Sequence, residues 1–262
     1  MDAREVAACW EANAAVWAPQ VRAGYDVYRD KHNTPAFLAF LPEVAGLSGL
    51  DIGCGEGANT RAVARLGAAM TGVDIAPTFL AYAREAEAAS PLGIAYLEAD
   101  AARLPFADES FDFATAFMSL MDVSDQPGAL GEAFRVVRPG GFLQFSILHP
   151  CFVPPRRRTI RDDSGTVTAV EVADYFADTD GRIETWWFGA LPAEQRASIP
   201  PFRVPRFHRT LSAWVGMCTA AGFAIEAMGE PCATEAEAAA EPVIADTRVT
   251  PLFLHVRLRK AR

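Results

Sequence analysis

One segment constrains the fold more than any other. In Leu50-Asp51-Ile52-Gly53-Cys54-Gly55-Glu56-Gly57-Ala58-Asn59-Thr60 a short apolar run breaks into a glycine loop and then into a helical pattern. A strand that turns through glycines straight into a helix is the opening unit of an open α/β sheet. Gly53 and Gly55 permit backbone conformations closed to other residues and lack the β-carbons that would hold a ligand away. A cofactor can therefore lie directly on the main chain. Twenty-one residues after Gly53, Asp74 closes the next apolar run, Thr71-Gly72-Val73-Asp74. A carboxylate at that position can accept both hydroxyl hydrogens of a ribose. Open α/β sheets bind ligands beyond the carboxyl ends of their strands, so loop and carboxylate share one edge.

Two cofactor classes fit this much. Gly53-x-Gly55-x-x-Ala58 satisfies a loose dinucleotide fingerprint, which keeps NAD binding open. Against it, Glu56 stands where the pyrophosphate would meet the helix N-terminus, and negative charge is unfavourable there. A ligand without phosphates suits the loop better.

The rhythm of short apolar runs and helical patterns extends from residue 47 to 150, with strands expected at Leu50–Ile52, Met70–Val73, Ile94–Leu97, Phe113–Phe117 and Phe142–Leu148. Ala129, Leu130, Ala133, Phe134 and Val137 recur with helical period before Pro139-Gly140-Gly141 stops the helix. Residues 1–46 read as a helical cap, with Val6, Trp10, Ala14 and Trp17 on one face and the aromatic segment Tyr25–Tyr28 behind it. Residues 151–208 break the rhythm with prolines, the run Arg156-Arg157-Arg158 and the cluster Trp186-Trp187-Phe188. A long irregular insertion of this kind is often a functional lid. Residues 209–262 resume the pattern with a helix over 210–221, strands over 223–228 and 252–258, and a capping-box helix opened by Thr234 and Glu237.

Composition narrows the function. With 51% hydrophobic and 22% charged residues, the 262-residue chain buries a large core. Lys and Arg number 24 against 33 Asp and Glu, and the resulting charge of -9 repels nucleic-acid phosphates. The five cysteines lack metal-ligand spacing, so reduced thiols in a cytoplasm and no bound metal are expected. Charged residues interrupt the first helix, and no apolar run reaches the roughly 20 residues of a membrane span. A small-molecule substrate, with no nucleic acid or membrane partner, is the expectation, for a monomer or homodimer.

Four motifs in order, LDIGCGEGANT, TGVDIAP, EADAARLPFADESFDFATA and FRVVRPGGFLQFSILHP, resemble the class I S-adenosylmethionine-dependent methyltransferases, particularly their bacterial small-molecule branch. The resemblance implies one Rossmann-like, doubly wound α/β domain with a seven-stranded sheet whose last strand is antiparallel. By position it implies that Gly53 and Gly55 approach the methionine part of S-adenosyl-L-methionine and that Asp51 holds the loop and orients the amino group. Asp74 would bind the ribose and Ile75 would pack on the adenine. Asp100, with Ala101 beside it, would face the adenine amino group, and Phe117 and Met118 would contact the methionine moiety. The product would be S-adenosyl-L-homocysteine. Where relatives often carry a His pair, this sequence has Met121-Asp122, so no role resting on those histidines transfers.

Methyl transfer from a sulfonium releases a neutral thioether, so positioning is the protein's main task. A base is needed only when the acceptor must lose a proton. His149, closing the fifth strand, is the candidate base, with the alternative that it holds the following proline turn. Trp186 and Trp187 are expected to close over the acceptor, with Tyr25 and Tyr28 of the cap, Arg206 and His208 as further acceptor residues. The expected reaction is methylation of an oxygen or nitrogen of a small metabolite. An NAD(P)-dependent oxidoreductase and a non-catalytic S-adenosylmethionine-binding protein remain as alternatives.

Overall fold

The computed structural model describes residues 1–262. Helix α1 (Ala3–Arg22) opens on a capping box in which Asp2 accepts from the Glu5 main chain and Glu5 accepts from that of Asp2. It buries Val6, Ala14, Ala18 and Val21, the face marked out by the apolar spacing. A π-helical turn over Arg29–Asn33 then leads into α2 (Thr34–Phe40).

The central sheet is built from β1 (Ser48–Ile52), β2 (Ala69–Asp74), β3 (Ala95–Glu98), β4 (Phe111–Phe117), β5 (Val137–Leu148), β10 (Ala224–Gly229) and β11 (Phe253–Arg259). Its seven strands run in the order β10-β11-β5-β4-β1-β2-β3, and β11 is antiparallel to both neighbours. The expected seven-stranded sheet and its reversed last strand are both present. Helices α3 (Ala58–Ala64) and α4 (Pro77–Ala89) cover one face with α2, and α5 (Gln126–Val136) and α7 (Leu211–Ala220) cover the other.

Strand β5 shows how the sequence alternation divides the two cores. Leu143, Phe145 and Ile147 join Leu130, Ala133, Trp214 and Cys218, while Phe142 packs with Phe113, Phe37 and Leu80 on the opposite face. Helix α5 stops at Val136 and the strand begins at once, running through Pro139-Gly140-Gly141 rather than starting at Phe142. Gly141 is required there, because a β-carbon would lie 2.3 Å from the Asp112 carbonyl oxygen.

The segment 151–208 differs from the irregular insertion expected of it. It folds into two antiparallel pairs, β6 (Arg156–Arg161) with β7 (Val167–Ala173) and β8 (Arg182–Trp186) with β9 (Phe202–Arg206), and a short α6 (Ala193–Arg196). The prolines flank these strands or lie, like Pro205, in a two-stranded pair with a free edge, where a missing N–H is tolerated. Helix α8 (Glu235–Ala240) carries the Thr234–Glu237 capping box. No helix is long and apolar enough to cross a membrane.

Strand β9 packs against α1, and the joint is aromatic. Trp17 meets Phe202, Phe188 and Trp186 with ring centroids 4.6, 4.9 and 5.3 Å away. Asn13 stitches it further, donating to the Arg203 carbonyl at 3.0 Å and accepting from the Arg203 N–H at 3.1 Å. Cap and insertion therefore form one roof over the carboxyl edge of the sheet.

Candidate active site

Beneath that roof lies a cavity of about 480 Å³, inside the roughly 300–1,000 Å³ range of small-molecule sites. Its floor is the glycine loop. Gly53 and Gly55 adopt φ values of +73° and +55°, in the left-handed region. A β-carbon on Gly53 would strike Ser119 at 2.4 Å, whereas one on Gly55 would meet nothing within 4 Å. Gly53 is thus fixed by packing, and Gly55 leaves open space over bare main chain.

Two carboxylates hold the loop. Asp51, fully buried, accepts from the Thr60 hydroxyl at 2.5 Å and from the Thr115 hydroxyl at 2.9 Å. Asp74 accepts from the Gly55 N–H at 2.8 Å and from the Ala76 N–H at 2.9 Å. Burial pushes both carboxyls up to about 6, against the pull of these hydrogen bonds. Asp26 is pushed up to about 6 by the same cause, with Arg29 opposing it.

Glu56 is 8% exposed and lies beside Arg29, whose Nη1 is 2.8 Å from Glu56 Oε1. Arg29 also donates through Nε to Asp30 at 2.8 Å. This arginine was not singled out in the sequence, because 27 residues separate it from its partner and only the π-helical turn aims it at the loop.

Ile75, Asp100 and Ala101 line the cavity beyond β2 and β3. Asp100 is half-buried and accepts from the Ala102 N–H at 2.9 Å. Phe117 and Met118 line it at the end of β4, where Met118 takes φ +53°. That conformation costs a residue with a β-carbon roughly 1–2 kcal/mol and is stored here at the cavity wall.

The roof supplies Tyr25, Tyr28, Trp186, Trp187 and Arg206, all facing the same cavity. Trp187 is anchored by its indole N–H, which donates to the Ile199 carbonyl at 3.0 Å. Tyr28 donates to Asp246 at 2.9 Å. Trp186 serves two purposes, since it also packs on Trp17 and Phe202.

Both candidate histidines lie elsewhere. His149 is 2% exposed, outside the cavity wall, with Nε2 2.8 Å from Glu230 and Nδ1 accepting the Cys151 N–H at 3.2 Å. These contacts hold the turn after Pro150 and leave neither ring nitrogen free. His208 is also buried outside the wall, with Nε2 2.8 Å from the Tyr175 carbonyl oxygen. Asp122, by contrast, lines the cavity, is 5% exposed, and its Oδ1 has no hydrogen-bond partner. No three His, Cys, Asp or Glu side chains gather in a metal-holding group.

A bare glycine loop and a carboxylate ending the next strand, both on the carboxyl edge of a mainly parallel sheet, define a nucleoside-binding α/β protein. Comparison with known proteins sharpens the class. Residues 50–145 match the methyltransferase-domain family. A solved S-adenosylmethionine-dependent methyltransferase from Mesorhizobium loti is 31% identical and superposes with a TM-score of 0.69, covering 86% of this chain and 96% of its own. The chain belongs to the S-adenosylmethionine-dependent methyltransferases.

Two curated relatives each match about half of this chain. The malonyl-[acyl-carrier protein] O-methyltransferase of Pectobacterium atrosepticum is 37% identical over 126 residues, 47% of this chain and 48% of that protein. The demethylmenaquinone methyltransferase of Tropheryma whipplei is 42% identical over 132 residues, 48% of this chain and 53% of that protein. The chain spans about half the length of the curated relatives it matches.

Proposed function

We propose that this protein transfers the methyl group of S-adenosylmethionine to an oxygen or nitrogen of a small metabolite. The observation that carries this reading is the charge of the cavity. Asp26, Asp51, Glu56, Asp74, Asp100, Asp122 and Glu184 line it, against Arg29 and Arg206, which already face carboxylates. Such a wall favours a ligand bearing a sulfonium and an ammonium, and it opposes a pyrophosphate. The open space over Gly55 leaves room for that ligand to rest on main chain.

Bound there, S-adenosylmethionine supplies a methyl carbon on a positively charged sulfur that departs as a neutral thioether. The chain's own residues do the rest. Asp74 takes the ribose hydroxyls while holding Gly55. Asp51 keeps the loop in register through Thr60 and Thr115, and lines the amino-acid end with Gly53, Phe117 and Met118. Ile75, Asp100 and Ala101 bracket the base. The roof of Tyr25, Tyr28, Trp186, Trp187 and Arg206 holds the acceptor and excludes water. Fixing a nucleophile against the methyl carbon contributes on the order of 7–11 kcal/mol to such reactions.

Trp186, Trp187 and Arg206 of the roof lie in residues 151–208, outside the matched family segment 50–145. The acidic composition and the cavity of about 480 Å³ support a small-molecule acceptor and no nucleic-acid partner, and the five free cysteines suit a cytoplasmic setting. The whole of residues 1–262 is read as one methyltransferase domain, acting as a monomer or homodimer.

Incubation with a metabolite extract and label on the donor methyl tests this. Label should enter a small-molecule fraction and not protein, RNA or lipid. If S-adenosylhomocysteine binds and no extract accepts label, the protein is a non-catalytic binder.

A further inference from the structure

Asp122 ends a turn of 3-10 helix, Leu120–Asp122, that follows β4. The turn is pinned from both sides. Gln126 donates to the carbonyls of Leu120 and Phe207 at 3.3 and 3.1 Å, and the Phe207 N–H donates to the Met121 carbonyl at 3.1 Å. A carboxyl group is thereby held rigidly at the cavity wall, 5% exposed, with Oδ1 lacking any partner. Native proteins seldom leave a buried polar atom unpaired without a reason.

The charges that face it are Arg206 on β9 and Glu184 on β8, while α5 and β5, also packed against the turn, add none. Arg206 does not satisfy Asp122. Its Nη2 donates to the Val153 carbonyl at 2.7 Å and its Nη1 lies 3.5 Å from Glu184. The apolar side chains Met121, Trp186 and Trp187 line the same cavity.

Resting on the methyl-transfer reading, we propose that Asp122 receives the hydroxyl group of a flat, otherwise apolar acceptor and accepts its proton as the oxygen is methylated. A hydroxyl supplies the donor that Asp122 Oδ1 lacks. As the acceptor O–H bond breaks, an Oδ–H bond forms on Asp122. The freed oxygen pair forms the new O–CH3 bond, and the pair of the S–CH3 bond stays on sulfur as neutral thioether. The proton then passes from Asp122 to solvent. Burial holds the Asp122 carboxyl well above its ordinary range, with Arg206 opposing the shift.

The test uses protein saturated with S-adenosylhomocysteine and two flat probes of matched size, 2-naphthol and 2-methylnaphthalene, titrated by calorimetry. The expected result is at least ~10-fold tighter binding of the naphthol, since a site built to hydrogen-bond a hydroxyl penalises the analogue lacking it. That preference should rise with pH as Asp122 loses its proton, until the naphthol itself ionises. Asp122→Leu should abolish the preference, and Asp122→Asn should remove its pH dependence, both still binding S-adenosylhomocysteine saturably as the check on folding. Equal binding of the two probes, or a preference that survives in Asp122→Leu, overturns the proposal. Failure of the unmodified protein to bind S-adenosylhomocysteine overturns the methyl-transfer reading beneath it instead.

Discussion

Asp74 Oδ2 accepts a hydrogen bond from the Gly55 main-chain N–H at 2.8 Å, so the residue proposed to hold the sugar also holds the loop on which the rest of the nucleoside would lie. Its other oxygen is occupied in part by the Ala76 N–H at 2.9 Å. Asp74→Ala should therefore weaken S-adenosylhomocysteine binding by about 1–3 kcal/mol, the cost of losing a charged hydrogen-bond partner. Asp74→Asn, which keeps one acceptor oxygen, should lose less. Calorimetric titration of the two variants measures both.

Cofactor affinity should depend on pH. Asp26, Asp51 and Asp74 are each pushed up to about 6 by burial. An ammonium and two ribose hydroxyls prefer these groups ionised, so binding should tighten as pH rises through about 6 and level off above it. Below that pH, complex formation should release protons, seen as a dependence of the binding enthalpy on buffer. Stability of the ligand-free protein runs the other way. A carboxyl raised in the folded state contributes stability that is fully present below its ordinary value of 3.8 and lost as pH rises through about 6. Saturating ligand should reduce that loss in thermal melts.

Substitutions at the two glycines should separate folding from binding. Gly53→Ala meets both the left-handed backbone and Ser119 at 2.4 Å, so it should lower stability by about 2 kcal/mol or more. Gly55→Ala meets no neighbour and should cost only about 1 kcal/mol from its φ of +55°. Its methyl group would instead intrude on the ligand, so its loss should fall mainly on S-adenosylhomocysteine affinity. Denaturant melts and titrations together show the contrast.

The Arg29–Glu56 pair offers a test of the cap's electrostatic role. The two side chains are 18% and 9% exposed and 2.8 Å apart. Arg29→Met would leave Glu56 buried without its partner and should destabilise the protein by about 3 kcal/mol. Arg29→Met with Glu56→Gln should recover part of that. Denaturant unfolding of the single and double variants checks the coupling.

What could be read before the structure was local. The strand, the glycines and Asp74 lie within one βαβ unit, where each residue's role follows from short spacing and from backbone sterics. The inward face of α1 is legible for the same reason, since period alone places Val6 and Ala14 inward with Trp10 and Trp17 half-buried beside them. The hairpins of 151–208 were not. Strand β7 is mostly exposed and β6 is largely charged, so neither carries the apolar alternation that marks a half-buried strand. Arg29 and Glu56, and likewise Asp122 and Arg206, are brought together only by tertiary folding. His149 illustrates the converse. It follows directly on β5, yet it is not among the cavity-lining residues, and its Nε2 lies 2.8 Å from Glu230, 81 residues away.

The central claim is that the cavity over Gly55 holds an S-adenosyl nucleoside. Side-by-side calorimetric titration of the protein with S-adenosylhomocysteine and with NADH tests it most directly. The account predicts saturable binding of one S-adenosylhomocysteine per chain, weakened by Asp74→Ala, and no heat of binding from NADH. Saturable binding of NADH with none of S-adenosylhomocysteine would contradict it.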